Sequence, residues 1–365
     1  MEKLTDICNI QYGYAFDSGC FTEKCSYPPL IRIRDVKRGF SETYYSGEYS
    51  KEYVVHAGDL LIGMDGEFNI ARWKSIDGLL NQRVCKLTAK EGTDEEYLRF
   101  VLVKALKIIE NKTAFVTVKH LSAKELNKLE LDLPCIEKQS LRAKILTKLE
   151  RIIWYREDEL RELDNLIRAR FIEMFGTLHD NERGFDIVTI EEVCSLIKDG
   201  THQTPQYTTN KEKGYKFLSS KDVMSQKIDW RNIKYIPAEL HEKLYATIKP
   251  QKNDILMSKN GVNYGVAAVN DTDEIFDIYV SLALLRPKKI IDPVFFRCVI
   301  NNPETKRQFD SSIKGIGVPN LHLSEIKKTK IFLPPMELQQ KFVTVVDQVN
   351  KSKVILPKPP FNVII

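Results

Sequence analysis

The sequence is sparing with the residues that break or staple a chain. None of its 17 glycines and 15 prolines falls between Pro134 and Gly176. Seven cysteines (Cys8, Cys20, Cys25, Cys85, Cys135, Cys194 and Cys298) are an odd, scattered set without a C-x-x-C pair. That excludes a disulfide framework and a cysteine-based zinc site, and it points to a reducing, cytoplasmic setting. No apolar run approaches the roughly 18 residues a membrane span needs, and the start MEKLTDICNI does not read as a secretory signal. Nucleotide chemistry has no support either. There is no G-x-x-x-x-G-K-[ST] loop, no strand-linked G-x-G-x-x-G and no N-P-P-Y tetrad. Gly315-Ile316-Gly317 is a lone turn, and six histidines are too scattered for a metal cluster. The net charge of +5 permits a nucleic-acid partner without demanding one.

What is present begins with the stretch closed by Gly176. Leu141, Ile145, Leu149, Ile152, Leu160, Leu163, Ile167, Phe171 and Met174 recur mostly in steps of three or four. That period predicts one helix with a single apolar stripe. About 40 residues at 1.5 Å each make a rod of roughly 60 Å, longer than a typical globular helix and suited to a coiled-coil arm or spacer.

The chain also repeats itself. Leu4–Cys8 matches Ile190–Cys194, Pro29–Val36 matches Tyr215–Val223, and Ala57–Gly66 matches Lys252–Gly261. Asp94–Leu102 matches Asp292–Ile300, and His120–Gln139 matches His322–Gln340. Each copy has one predicted grammar. A short helix (Leu4–Ile10; Ile190–Ile197) precedes strands at Leu30–Val36 and Phe217–Val223, then Leu60–Ile62 and Ile255–Met257. A further strand (Arg83–Leu87; Val280–Leu285), a helix (Tyr97–Ile109; Val294–Asp310) and a last strand lead into Leu-Pro. Glu137 and Glu337 then occupy the first turn of a helix, where acid suits its positive end.

These features resemble the specificity (S) subunit of type I restriction–modification systems. The carrying residues are Leu133-Pro134…Glu137…Gln139, and Leu333-Pro334-Pro335…Glu337…Gln339. Arg170–Gly176 and Asp199-Gly200-Thr201-His202…Thr204-Pro205 add to them. The resemblance implies an α+β chain: two similar mixed target recognition domains, separated by long helices that form an antiparallel coiled coil. The expected divisions are 1–134 and 177–334 for the recognition domains, 135–176 for the central spacer helix, 335–353 for a truncated second helix and 354–365 for an irregular tail. It implies a non-catalytic subunit that reads a bipartite double-stranded DNA site and docks methyltransferase (M) and restriction/translocase (R) subunits. No cofactor is expected in this chain; S-adenosylmethionine belongs to the methyltransferase partner. A rod would hold two half-sites about one helical turn, roughly 34 Å, apart.

DNA recognition requires cations for phosphates and forked or amide side chains for base edges. In the first copy the candidates are Arg32, Arg34, Arg72, Trp73, Lys74, Asn81, Gln82, Arg83, Lys119 and His120. Alternation on a strand would place Arg32 and Arg34 on one face. Glu67 and Asn69 flank a turn that explains them equally well. In the second copy they are His202, Gln203, Thr204, Ser219, Lys221, Ser258, Lys259, Asn260, Tyr264, Lys314 and Asn320. A solvated strand face or ordinary loop drift is the plainer reading of many of these.

The second helix opens with the stripe Phe342, Val345, Val346 and Val349, but Pro357, Pro359 and Pro360 cannot continue it. Leu160, Leu163, Ile167, Phe171 and Met174 are therefore expected to lack part of their partner. Weakened assembly, or self-association through the unpaired stripe, follows. A silent or phase-variable specificity cassette is one alternative; a single-chain restriction enzyme fragment or a DNA-free scaffold are others.

Overall fold

The computed structural model describes residues 1–112, 119–313 and 319–355. The chain divides into two compact units, with the boundary after Asp158.

In the first unit four antiparallel strands run in the spatial order Cys8–Tyr12, Val84–Ala89, Leu60–Gly63, Ile70–Arg72. Leu60–Gly63 is buried throughout, as a strand covered on both faces must be. Alternation sorts its side chains. Leu60 and Ile62 pack with Leu98, Leu102 and Leu106 of the helix Glu95–Lys112. Leu61 faces the other way, with Ile31, Val36, Trp73 and Val84. The second unit repeats this order with Cys194–Asp199, Leu282–Pro287, Ile255–Ser258 and Ala267–Val269. Ile255 and Met257 face Phe295, Phe296 and Phe309, and Leu256 faces Leu218 and Phe276.

Several predicted elements are shorter or broken. The strand expected over Leu30–Val36 stops at Ile31, and Ile33–Arg38 is helical. Asp35 causes the change: its carboxylate accepts the Arg32 backbone N–H at 3.0 Å and starts a helical turn. Asp222 does the same for Ser219 at 2.8 Å, so the second copy turns after Leu218. The first helices are only Leu4–Ile7 and Ile190–Val193, each running straight into a sheet strand. The helix expected over Val294–Asp310 is two, Pro293–Ile300 and Pro303–Ser312. Asn302 caps the second, and Pro303 lacks the N–H that would continue the first.

The long helix is continuous from Ile136 to Phe175. In the first unit it is held by Ala143, by Arg142 to the Tyr97 hydroxyl at 3.1 Å, and by a two-pronged Arg99–Glu150 pair at 3.1 and 2.7 Å. The predicted stripe is not its packed face there: Leu141, Ile145, Leu149 and Ile152 are 61, 50, 45 and 55% exposed. In the second unit Phe171 stacks on Phe295 and meets Phe342 edge-on, Phe175 meets both edge-on, and Ile167 and Met174 flank the same core. The helix Met336–Ile355 pairs with this half. Phe342 touches Phe171 and Phe175, whereas Lys353 reaches Asp164, so the two run antiparallel. Val346 and Val349 are buried as well. This reverses an expectation. An antiparallel partner covers the far end of the long helix first, so Phe171 is buried and Leu160, Leu163, Ile167 and Met174 are partly covered. Val354 and Ile355 also belong to this helix rather than to the tail; the prolines beyond lie outside the described residues.

Candidate nucleic-acid interface

Three segments meet at one end of each four-stranded sheet, and the same set of main-chain hydrogen bonds ties them together in both units. In the first unit the Met64 N–H donates to the Arg83 carbonyl at 2.9 Å. The Gly66 N–H donates to Lys119 at 2.9 Å, and the Leu121 N–H to Met64 at 2.7 Å. In the second unit Lys259 donates to Ser281 at 2.8 Å, Gly261 to Pro319 at 3.0 Å, and Leu321 to Lys259 at 2.9 Å. The pattern is the same, bond for bond. Asp65 pairs with His120 in one cradle and Asn260 with Asn320 in the other. A fourth segment crosses beneath, where only glycine fits. A Cβ on Gly13 would lie 2.0 Å from the Asn81 carbonyl oxygen, and one on Gly200 would lie 2.1 Å from that of Ile278.

The equivalent positions carry different side chains. Asp65, Arg83 and His120 correspond to Asn260, Ser281 and Asn320. The Asp65 carboxylate accepts from His120 Nδ1 and lies 3.4 Å from Arg83 Nε. Arg83 Nη1 is 3.4 Å from the His120 ring nitrogens. Gln82 projects into solvent beside them, and Asn81 is half-buried. The Lys119 ammonium is turned aside to Glu110 at 2.9 Å. Burial alone would raise the Glu110 carboxyl, but the hydrogen bonds from Lys119 and Lys107 outweigh it and hold it below the usual carboxylate range.

The second cradle is less cationic than its sequence promises. Lys259 is 5% exposed, and its Nζ donates to Asp199 Oδ2 at 2.7 Å. Burial pushes the Asp199 carboxyl upward, but the Lys259 bond prevails and keeps it low. His202 Nε2 approaches the same carboxylate at 3.4 Å while its ring stays largely in solvent. Gln203 and Thr204 follow it on the exposed loop, and Asn320 is exposed at the cradle rim.

Other candidates are claimed by the fold. Arg72 donates to Glu96 at 2.8 Å, to Glu95 at 2.9 Å and to the Gly58 carbonyl at 2.8 Å, and Trp73 is buried. Ser258 is buried and donates to the Asn263 carbonyl at 2.9 Å. The Tyr264 hydroxyl binds Asp310, with Lys306 over its ring. Ser219 caps a turn through Asp222, and Lys221 leans on Asp222 and the Asn232 carbonyl. Arg32 and Arg34 are exposed on a helical turn rather than on one strand face; Arg34 donates to Thr43 at 3.3 Å. Lys74 is exposed beside Gly39, and Glu67 pairs with Lys37 at 3.7 Å. Asn69 donates to the Glu67 carbonyl at 3.1 Å. Lys314 lies outside the described residues.

Asp65, Asp199 and Ser281 were not among the candidate DNA contacts. Counting back without a gap from Leu133-Pro134 and Leu333-Pro334 finds the right correspondence: His120 with Asn320, Leu121 with Leu321, Leu126 with Ile326. The likeness of the two His-Leu-Ser triplets hides it by two residues, since Ser122 and His322 both precede a helix as its cap.

Among the described residues no cluster of histidine, cysteine or carboxylate side chains could hold a metal ion, and no helix is long and apolar enough to cross a membrane. The family described as Type I restriction modification DNA specificity domain matches residues 1–165 and again 182–358. The chain is 29% identical to the Type I restriction enzyme EcoBI specificity subunit of Escherichia coli, over 95% of its own length and 78% of that protein's. It is 22% identical to the MjaVIII specificity subunit of Methanocaldococcus jannaschii, over 86% of this chain and 77% of that one. The crystal structure of an S subunit from M. genitalium shares its fold, with a TM-score of 0.56 and 14% identity, covering 97% of this chain and 90% of that one.

Proposed function

We propose a function for this chain on one premise: it belongs to the type I restriction modification DNA specificity family. The chain is the DNA specificity subunit of such a complex, and each unit reads one half of a bipartite site. One observation carries this reading. Both units build the same cradle from main-chain bonds and fill it with different side chains. A scaffold with no sequence to read has no need to keep the frame and vary only what it displays.

The chain itself performs no chemistry in this proposal. It selects the duplex, and a methyltransferase subunit supplies S-adenosylmethionine and modifies adenine. Restriction subunits join the same complex in the cytoplasm. We take 1–134 and 177–334 as the recognition domains and 135–176 as the spacer that joins them. Phosphate contacts then come from exposed cations such as Arg32, Arg34 and Lys74, and base contacts from Gln82, Arg83, His120, His202, Gln203 and Asn320. Each phosphate cation removed lowers affinity evenly and reduces the salt slope by about one, whereas each base contact removed relaxes one position.

The test is to map methylated adenines in a host carrying the cognate methyltransferase, with and without this chain. A two-part motif that depends on the chain is the expected result. Methylation unchanged by its removal would refute the proposal.

A further inference from the structure

We infer that Arg83 reads a guanine in one half-site and that Asp65 is the positioning residue that aims it; this rests on the function proposed above. Three observations converge on the pair. The main chain first fixes where both side chains start. The Met64 N–H is tied to the Arg83 carbonyl at 2.9 Å, and Asp65 is bridged to His120. The Asp65 carboxylate then sits between the two basic groups, 3.4 Å from Arg83 Nε and bonded to His120 Nδ1. Finally the guanidinium remains half exposed, and its Nη2 has no partner among the described residues.

The geometry favours a base over a phosphate. Guanine offers two acceptors, O6 and N7, on its major-groove edge, and a guanidinium meets both with parallel N–H bonds. That fork discriminates only if it is held in one orientation, which the carboxylate at Nε supplies. A phosphate would bring a negative charge against Asp65, and like charges at short range repel. The neutral edge of a base carries no such penalty. A free surface arginine that only neutralised phosphates would be better without the aspartate.

The second unit supplies the contrast. Ser281 stands where Arg83 does, is 8% exposed, and its Oγ already accepts the Ser220 N–H at 3.0 Å. Asn260 stands in place of Asp65 and Asn320 in place of His120. Among the described residues that cradle holds no guanidinium, so this arginine readout belongs to the first unit.

The experiment compares wild type with R83A, R83K and D65N, each assembled with the cognate methyltransferase, by sequencing methylated adenines and by measuring affinity for non-specific duplex. R83A and R83K should each lower the preference for one guanine by about 10- to 100-fold and leave the other half-site intact. R83K keeps the charge and should bind non-specific duplex as wild type does. D65N should relax the same guanine while non-specific affinity holds or rises; a purely structural role for Asp65 would instead lower methylation at every position. Even loss across the motif in R83A, or relaxation at a base other than guanine, overturns the inference and leaves the specificity role standing. A wild-type complex with no chain-dependent motif overturns both.

Discussion

Gln139 and Gln339 make the same three hydrogen bonds in the two units. Each Oε1 accepts a backbone N–H at the start of a neighbouring helix, from Asp94 at 3.0 Å and from Asp292 at 2.8 Å. Each Nε2 donates to a proline carbonyl at 2.8 Å, Pro134 or Pro334, and to a loop carbonyl, Gly92 at 3.3 Å or Ile290 at 3.2 Å. Both side chains are buried. Replacing either by alanine orphans those backbone groups and should cost about 1–3 kcal/mol. Denaturant unfolding of Q139A and Q339A would measure it; a loss under half a kilocalorie would refute the assignment.

The antiparallel pairing puts Phe175 in the core, whereas Ile145 stays half exposed. Phe175→Ala should cost about 3–5 kcal/mol, because the cavity left among Phe295, Phe332 and Phe342 cannot collapse fully. Ile145→Ser and Leu149→Ser should each change stability by less than about 0.5 kcal/mol. They should also lower any self-association of the isolated chain, since the Leu141–Ile152 stripe is the exposed one. Light scattering of wild type and the double variant reads that out.

Glu96 lies within bonding distance of Arg72 at 2.8 Å and Arg99 at 2.7 Å. Burial would raise its carboxyl, but the hydrogen bonds from Arg99 and Arg72 leave it below the ordinary value. A depressed carboxylate stabilises the fold fully above its unfolded pKa, near 4.3, and loses that contribution as pH falls through its lower folded value. Melting temperature should therefore fall below about pH 4.5, and Glu96→Gln should be less stable at pH 7 with a shallower acid loss. Equal acid slopes in the two proteins would exclude this role.

Burial pushes the Cys8 thiol up to about 11 and those of Cys85 and Cys194 up to about 12. Cys25 and Cys135 are exposed. Only the thiolate reacts, and at pH 8 a thiol with a pKa of 11 is ionised to about one part in a thousand. Iodoacetamide at pH 8 should label Cys25 and Cys135 first and leave Cys8, Cys85 and Cys194 until the protein unfolds. Mass mapping of the labelled peptides tests this.

Apolar spacing disclosed the long helix because a stripe of nine residues without glycine or proline allows little else. The duplication was legible for the same reason: buried Leu60 and Ile255, or Gln139 and Gln339, must satisfy identical surroundings. The strand over Leu30–Val36 was misread because Asp35 and Asp222 look like surface residues until their carboxylates are seen capping a turn. Lys259 and Arg72 were offered as DNA contacts on charge alone. Their partners, Asp199 and the Glu95–Glu96 pair, are remote in sequence, so no local pattern shows that the charge is already spoken for. The antiparallel direction was expected, but a shortened antiparallel partner covers the Phe171–Phe175 end and leaves the Leu141–Ile152 stripe bare, so the uncovered end was assigned to the wrong half of the helix.

A frame closed by peptide groups is indifferent to the letters set in it. If the cradles read DNA as proposed, exchange of Asp65, Arg83 and His120, or of a whole unit, would rewrite the address without composing a new fold. Under that reading, descendants of one such gene would diverge in target by a few codons while keeping the same frame.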